Sequence, residues 1–179
     1  MIKKMSALLF SFALFANTQH NEVPSRLQWM HNGGYCGEAS LIAAGLYFGQ
    51  YLSQYDVRAL IANNQIDGSL LLGVNDQRAA EKLHLSYESW DTDSQENTEQ
   101  FLIWLKQQVA GGRPVAMGVY ANQSAFDTGS EGDSEYDHIV SVTNLSTQHS
   151  PNDPTYYGDD QIGFSDNGLF DPGNFPVYY

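Results

Sequence analysis

Apolar positions recur at helical spacing through the first two thirds of the chain and at strand spacing in the last third. From Cys36 onward, Ala39, Ile42, Ala43, Leu46 and Tyr47 return at three and four residues, which predicts a helix of about 15 residues starting close to Cys36. A second short helix is expected where Ser53 and Asp56 form a capping box ahead of the stripe Val57, Leu60 and Ile61. Residues 75–84 predict a third, capped by Asn75 with Ala79, Ala80 and Leu83 inward, after which Leu85 to Trp90 alternates like a short strand. A fourth helix is expected to begin at a Thr98 cap, bury Phe101, Leu102, Leu105 and Val109, and stop at Gly111.

Beyond it, Pro114 to Ala121, His138 to Leu145 and Gln161 to Ser165 are short runs rich in β-branched and aromatic residues, separated by polar loops. Helices first and strands second predict an α+β fold with an antiparallel sheet, since alternating βαβ units would interleave them. Neither a repeat nor an interdomain linker interrupts the pattern. The loops 122–137 and 146–160 are long enough to belong to function or to mobile surface.

At the start of the chain, Lys3 and Lys4 precede the apolar run Ala7 to Ala16, which ends on a small residue. That layout predicts a secretory signal peptide over 1–16, leaving 17–179 as one mature domain, because the run is too short to span a bilayer. No later segment suggests a membrane anchor. A hydrophobic share of 42% supports a packed core, while 21 acidic against 8 basic residues give a formal net charge of −13. Losing Lys3 and Lys4 with the leader makes it two units more negative, which argues against nucleic acid or an anionic membrane as a partner. A monomer acting outside the cytoplasm is expected.

Export sharpens the question of Cys36, the single cysteine, because exported proteins carry structural cysteines in pairs. It is a reactive thiol, an intermolecular partner or simply a small buried apolar residue. A helix N-terminus favours the thiolate, and Gly34 and Gly37 would keep side chains off the sulfur. A nucleophilic thiol needs a base, and His138 opens the apolar strand Ile139-Val140-Ser141-Val142, whereas His20, His31, His84 and His149 lack such framing. Asp166 closes the last strand where an acceptor could orient the imidazole; Asn167 is its immediate rival and Asp171 a more distant one. For a tetrahedral oxyanion the donors would be the Cys36 N–H and a side-chain amide, either Gln28 or Asn32, eight and four residues upstream.

The order Cys, His, Asp/Asn, with helices around the first and strands around the others, resembles the papain-like cysteine peptidases. More specifically it is similar to the family that includes bacteriocin-processing (double-glycine) peptidase domains. The matching pieces are Gln28, Cys36-Gly37, His138-Ile139-Val140 and Ser165-Asp166-Asn167, covering about residues 25–170. Glu38 stands where that family usually has proline. The resemblance implies a papain-like fold with the nucleophile helix packed on the sheet. It also implies acyl transfer through a Cys36 thiolate with His138 as base, a peptide or other amide or acyl substrate, and no cofactor.

Two other readings compete. The acidic run from Asp127 through Asp133, Glu135 and Asp137 suits either a cleft rim that selects basic substrates or a calcium loop, although its spacing does not match an EF-hand. Eleven tyrosines and three tryptophans could equally furnish a noncatalytic secreted binding module. A metal site of Cys36, His31 and His138 is a remote third, so no metal ligands are assigned.

Overall fold

The structure is a computed structural model that describes residues 17–29, 34–61, 68–90, 97–120, 136–150 and 152–168. The leader over 1–16, His31, Asn32, the acidic run 127–135 with Asp133 and Glu135, and Asp171 lie outside the described residues.

Four helices form where the periodicity expects them: α1 (Cys36–Tyr47), α2 (Gln54–Ile61), α3 (Asp76–Lys82) and α4 (Thr98–Ala110). The α2 capping box is present: the Ser53 N–H and hydroxyl both donate to Asp56 Oδ2, and the Asp56 N–H donates back to Ser53 Oγ at 3.0 Å. Its buried stripe differs from expectation. Gln54, Val57, Arg58 and Ile61 are buried and Leu60 is only half-buried, because Arg58 finds a carboxylate partner inside. Asn75 is the N-cap residue of α3 as expected, but its side chain goes to the Leu71 N–H and Ser69 O instead of the helix's own N–H groups; the α4 cap moves from Thr98 to Asn97, whose Oδ1 accepts from the Gln100 N–H at 3.0 Å. At the other end of α4 the left-handed turn falls on Gly112 (φ 70°), one residue beyond Gly111.

The sheet is antiparallel and organised around β3 (His138–Thr147). β2 (Val115–Val119) pairs with its residues 138–142, β1 (Asn17–His20) with 144–147, and β4 (Gln161–Ser165) with 141–146. Since β4 overlaps both other partners, β1 and β2 must share the opposite edge of β3. β1 falls on the polar stretch that follows the expected leader; its ladder is made by main-chain groups, which no side-chain pattern announces. Leu85 to Trp90 is not a strand. Tyr87 Oη donates to Asp76 at 2.7 Å and Trp104 Nε1 to Glu88 at 2.9 Å, so this segment is held by side chains of α3 and α4 rather than by a ladder.

Pairing of 138–142 with β2 is regular, so Ile139 and Val142, three apart, point to opposite sides. Ile139 packs with Ile42, Val57, Ile61, Leu70 and Ala79 under α1, α2 and α3, whereas Val142 and Leu145 pack with Leu105 and Val109 of α4. A register shift between Val142 and Asn144 lets Val142 and Leu145 serve the same cluster. The loop 146–160 is pinned rather than loose: Lys106 Nζ, buried on α4, donates to Asp160 Oδ2 at 2.6 Å and to Thr155 O at 2.8 Å. No helix among the described residues is long and apolar enough to cross a membrane.

Asn97→Ala is expected to lower unfolding stability by about 1 kcal/mol, and Thr98→Ala by clearly less, in urea denaturation. Equal losses at the two positions would return the cap to Thr98.

Candidate functional site

Cys36 is the first residue of α1 and is half-buried, with Tyr35 as the preceding cap residue. The role expected of Gly37 is corrected. A Cβ there would collide with the Leu70 carbonyl and come within 2.8 Å of Leu70 Cδ2, so this glycine admits a neighbouring chain rather than opening the sulfur to substrate. Gly34 does turn the chain in the left-handed region (φ 83°), and Gln28 Oε1 lies 3.5 Å from where its Cβ would stand.

Cys36 packs against the cluster that includes Ile139 of β3, and the N–H groups of Ile139, next to His138, and of Gly37 favour its thiolate. Burial opposes them and wins, with Glu38 adding to the same side, so the thiol titrates above its ordinary value. The helix N-terminus was expected to favour the thiolate; with burial outweighing these N–H groups, the balance at Cys36 leans to the neutral thiol instead.

His138 is buried at 2% exposure, and its Nε2–H donates to the backbone carbonyl of Asp166 at 2.7 Å. This fixes the tautomer and makes Nδ1 the basic nitrogen of the neutral ring. Burial lowers the imidazole pKa, opposed by the Asp166 carbonyl and the nearby Asp166 carboxylate. The carboxylate itself accepts the Gly168 N–H at 2.8 Å, so Asp166 orients the imidazole with its main chain. Asp137, the described member of the acidic run, is exposed and donates its N–H to Val119 O at 3.0 Å.

Asn167 is fully buried in the left-handed region (φ 56°), a conformation asparagine tolerates better than most residues. Its Nδ2 faces three acceptors: Ser40 Oγ at 2.9 Å, Ile139 O at 3.0 Å and Cys36 O at 3.3 Å. Its carbonyl accepts the Gln28 N–H at 3.0 Å. The rivalry between Asp166 and Asn167 thus resolves into a division: Asp166 O holds the imidazole, and Asn167 ties the nucleophile helix, β3 and the Gln28 segment together. Gln28 is buried, and its Nε2 has no partner among the described residues, which leaves a donor available in the oxyanion role expected of it.

Arg58 escaped sequence reasoning. It forms a buried ion pair with Glu38 at 2.7 Å, donates to the Gly34 carbonyl, and lies 3.4 Å over the Tyr35 ring. The available signal was its position on α2, four residues after Gln54 and one after Val57, inside the apolar stripe. Among the described residues no group of three or more His, Cys, Asp or Glu could hold a metal ion. No protein family, curated protein or solved structure matches the chain.

Asn167→Asp keeps the shape and tolerates the same backbone, but turns a donor into a carboxylate facing three oxygen acceptors. It is expected to cost about 3 kcal/mol or more in urea unfolding. A loss below about 1 kcal/mol, the worth of a single ordinary hydrogen bond, would remove Asn167 from this role.

Proposed function

We propose that the protein is a secreted cysteine hydrolase with a papain-like arrangement, acting on a peptide or another amide or acyl bond through a covalent acyl-enzyme. The observation that carries the reading is the convergence at the start of α1. Cys36 packs on the cluster of Ile139, whose N–H favours its thiolate, and His138, the residue before Ile139 on β3, commits Nε2 to Asp166 O. The unpartnered Gln28 amide is tied to the same turn through Asn167.

In this reading His138 Nδ1 takes the proton of the Cys36 thiol as the sulfur attacks the acyl carbon. The resulting imidazolium is stabilised by the Asp166 carbonyl and carboxylate, the two groups that already raise its pKa against burial. The oxyanion is received by the Cys36 N–H and Gln28 Nε2, donors fixed before the charge develops. The imidazolium protonates the leaving group, and His138 then takes a proton from the water that hydrolyses the thioester. A neutral resting pair suits the sequence, since charge then separates only as the acyl group arrives and the fixed donors receive the developing oxyanion. The same reading sets the protein outside the cytoplasm as a monomer, released from a leader over 1–16.

Turnover of a fluorescently labelled peptide mixture is expected to vanish in Cys36→Ala and to fall by about 100-fold or more in His138→Ala, the usual contribution of a positioned base. Asp166→Asn, which keeps the main-chain carbonyl, should retain activity within roughly tenfold, one pKa unit of imidazolium stabilisation. Hydrolysis at the wild-type rate in Cys36→Ala would end the proposal. The pH dependence carries its own sign: with the thiol raised and the imidazole lowered, iodoacetamide alkylation of Cys36 should climb as pH rises through and beyond the ordinary thiol range. A plateau already reached at mildly acidic pH would mean a resting ion pair instead, and a thiol inert throughout would favour the noncatalytic module.

A further inference from the structure

The turn that delivers the nucleophile is gripped from below by charges that take no part in the chemistry proposed above. Glu38 and Arg58 have side chains 1% and 2% exposed, with Arg58 Nε 2.7 Å from Glu38 Oε1. The same carboxylate oxygen accepts the Leu70 N–H at 3.1 Å, while Arg58 Nη2 donates to the Gly34 carbonyl and reaches Ser69 Oγ at 3.4 Å. Arg58 Cζ lies 3.4 Å from the centroid of the Tyr35 ring, which also meets Trp29 edge to face at 5.3 Å. Gly34, Tyr35 and Glu38, which bracket Cys36, are therefore all held by one side chain from α2.

Stability alone is a poor explanation for such a pair. Moving two charges out of water costs about as much as their attraction returns, and well-packed apolar replacements commonly do as well. Glu38 Oε2, moreover, is buried without a partner among the described residues, a further cost. What an arginine supplies and an apolar residue cannot is a rigid fork that fixes a carbonyl, a carboxylate and a ring in one geometry. Once Gly34 O is held, the peptide plane entering Tyr35 is set, and with it the direction from which the Cys36 N–H and sulfur leave the turn.

We infer that Arg58, with Glu38, is the positioning residue of the nucleophile: it fixes the Gly34–Cys36 turn in the shape that presents thiol and amide to an acyl carbon, and leaves no net buried charge beside them. This rests on the hydrolase reading, and its test is separable from that reading because it follows the thiol itself. Among the described residues the ionisable groups bearing on the turn include Tyr35 within it, Glu38 from α1, Arg58 from α2, His138 from β3 and Asp166 after β4.

Iodoacetamide alkylation of Cys36 is measured across neutral and alkaline pH in the full chain, with folding checked by near-ultraviolet circular dichroism. Arg58→Met strands the Glu38 carboxylate two residues from the sulfur, so the alkylation midpoint should rise by about one pH unit, roughly a tenfold loss of thiolate at a given pH. The double variant Glu38→Gln with Arg58→Met should bring the midpoint back to the wild-type value or below. Its limiting rate should stay at least about threefold low, since the turn is no longer held. Arg58→Lys keeps the charge but loses the fork and the ring contact, so it should leave the midpoint unchanged and lower the limiting rate by a similar factor. Should Arg58→Met fail to fold, the double variant and Arg58→Lys decide. Folded forms of both that alkylate with the wild-type midpoint and limiting rate would overturn the inference. Failure of the hydrolase reading would look different: no peptide turnover in the wild type, with the alkylation pattern intact.

Discussion

The architecture turns on one side-chain amide. Asn167 Nδ2 has two hydrogens and three acceptors, one on the nucleophile residue, one on the next turn of α1 and one on β3, so at least one hydrogen is shared. Two of the acceptors are main-chain carbonyls, Cys36 O on α1 and Ile139 O on β3; a buried carbonyl left without a donor costs free energy, so the shared amide favours helix and strand staying together. The Oδ1 of the same amide has no partner among the described residues, which marks the donor side as the reason an asparagine stands there. Through its own carbonyl the residue then reaches Gln28, and one peptide unit earlier Asp166 O holds His138. Two residues after the end of β4 thus set the relative positions of a thiol, an imidazole and an amide donor.

β3 makes this economical. Its first residues carry His138 and Ile139 to α1, its middle pairs with β4 and so brings Asp166 and Asn167 alongside, and its apolar side chains alternate between two helix layers. The two buried ion pairs work at the margins of this spine. Glu38–Arg58 fastens α1 to α2, and Lys106–Asp160 fastens the long loop before β4 to α4. Burial alone would raise the Asp160 carboxyl, yet Lys106, Thr147 and the Tyr157 N–H hold it below the ordinary range. That loop feeds β4, so fixing it also fixes the register at which Asp166 and Asn167 arrive.

Much of this was legible in one dimension, and the parts that were not share a physical cause. Periodicity revealed the four helices and β2 to β4 because burial on one face imposes it, and the Ser53–Asp56 box was readable because capping is a contact over three residues. That the β4 end would lie beside His138 was readable from the antiparallel order of the strands. What stayed hidden involves groups whose role depends on partners far along the chain. Arg58 carries no signal in the sequence that Glu38 stands beside it, Gly37 reads as access to the thiol until Leu70 packs on it, and β1 is a main-chain contact in a polar stretch of sequence. Asp166 meets the imidazole as the expected acceptor, but which of its oxygens does so was not readable, since the main-chain carbonyl that takes Nε2–H is present at every residue.

The state of the thiol shows how magnitudes decide between two sound rules. A helix N-terminus stabilises an anion by about 0.3–1 kcal/mol, less than the ~1.4 kcal/mol of one pKa unit. Desolvation moves buried groups by several units when nothing compensates. With the Ile139 and Gly37 N–H groups on one side and burial with Glu38 on the other, the balance at Cys36 falls to burial, and at His138 burial again prevails over Asp166. Both shifts favour the uncharged forms, and both arise from the same closure of α1 against β3 that Asn167 enforces. A proton transfer between them creates two opposite charges in a place that resists either alone, so the ion pair gains most when something supplies donors to the developing charge. The buried Gln28 Nε2, without a partner among the described residues, is a donor of the kind such a charge would need, and a donor that is unused at rest stabilises only charge that develops later.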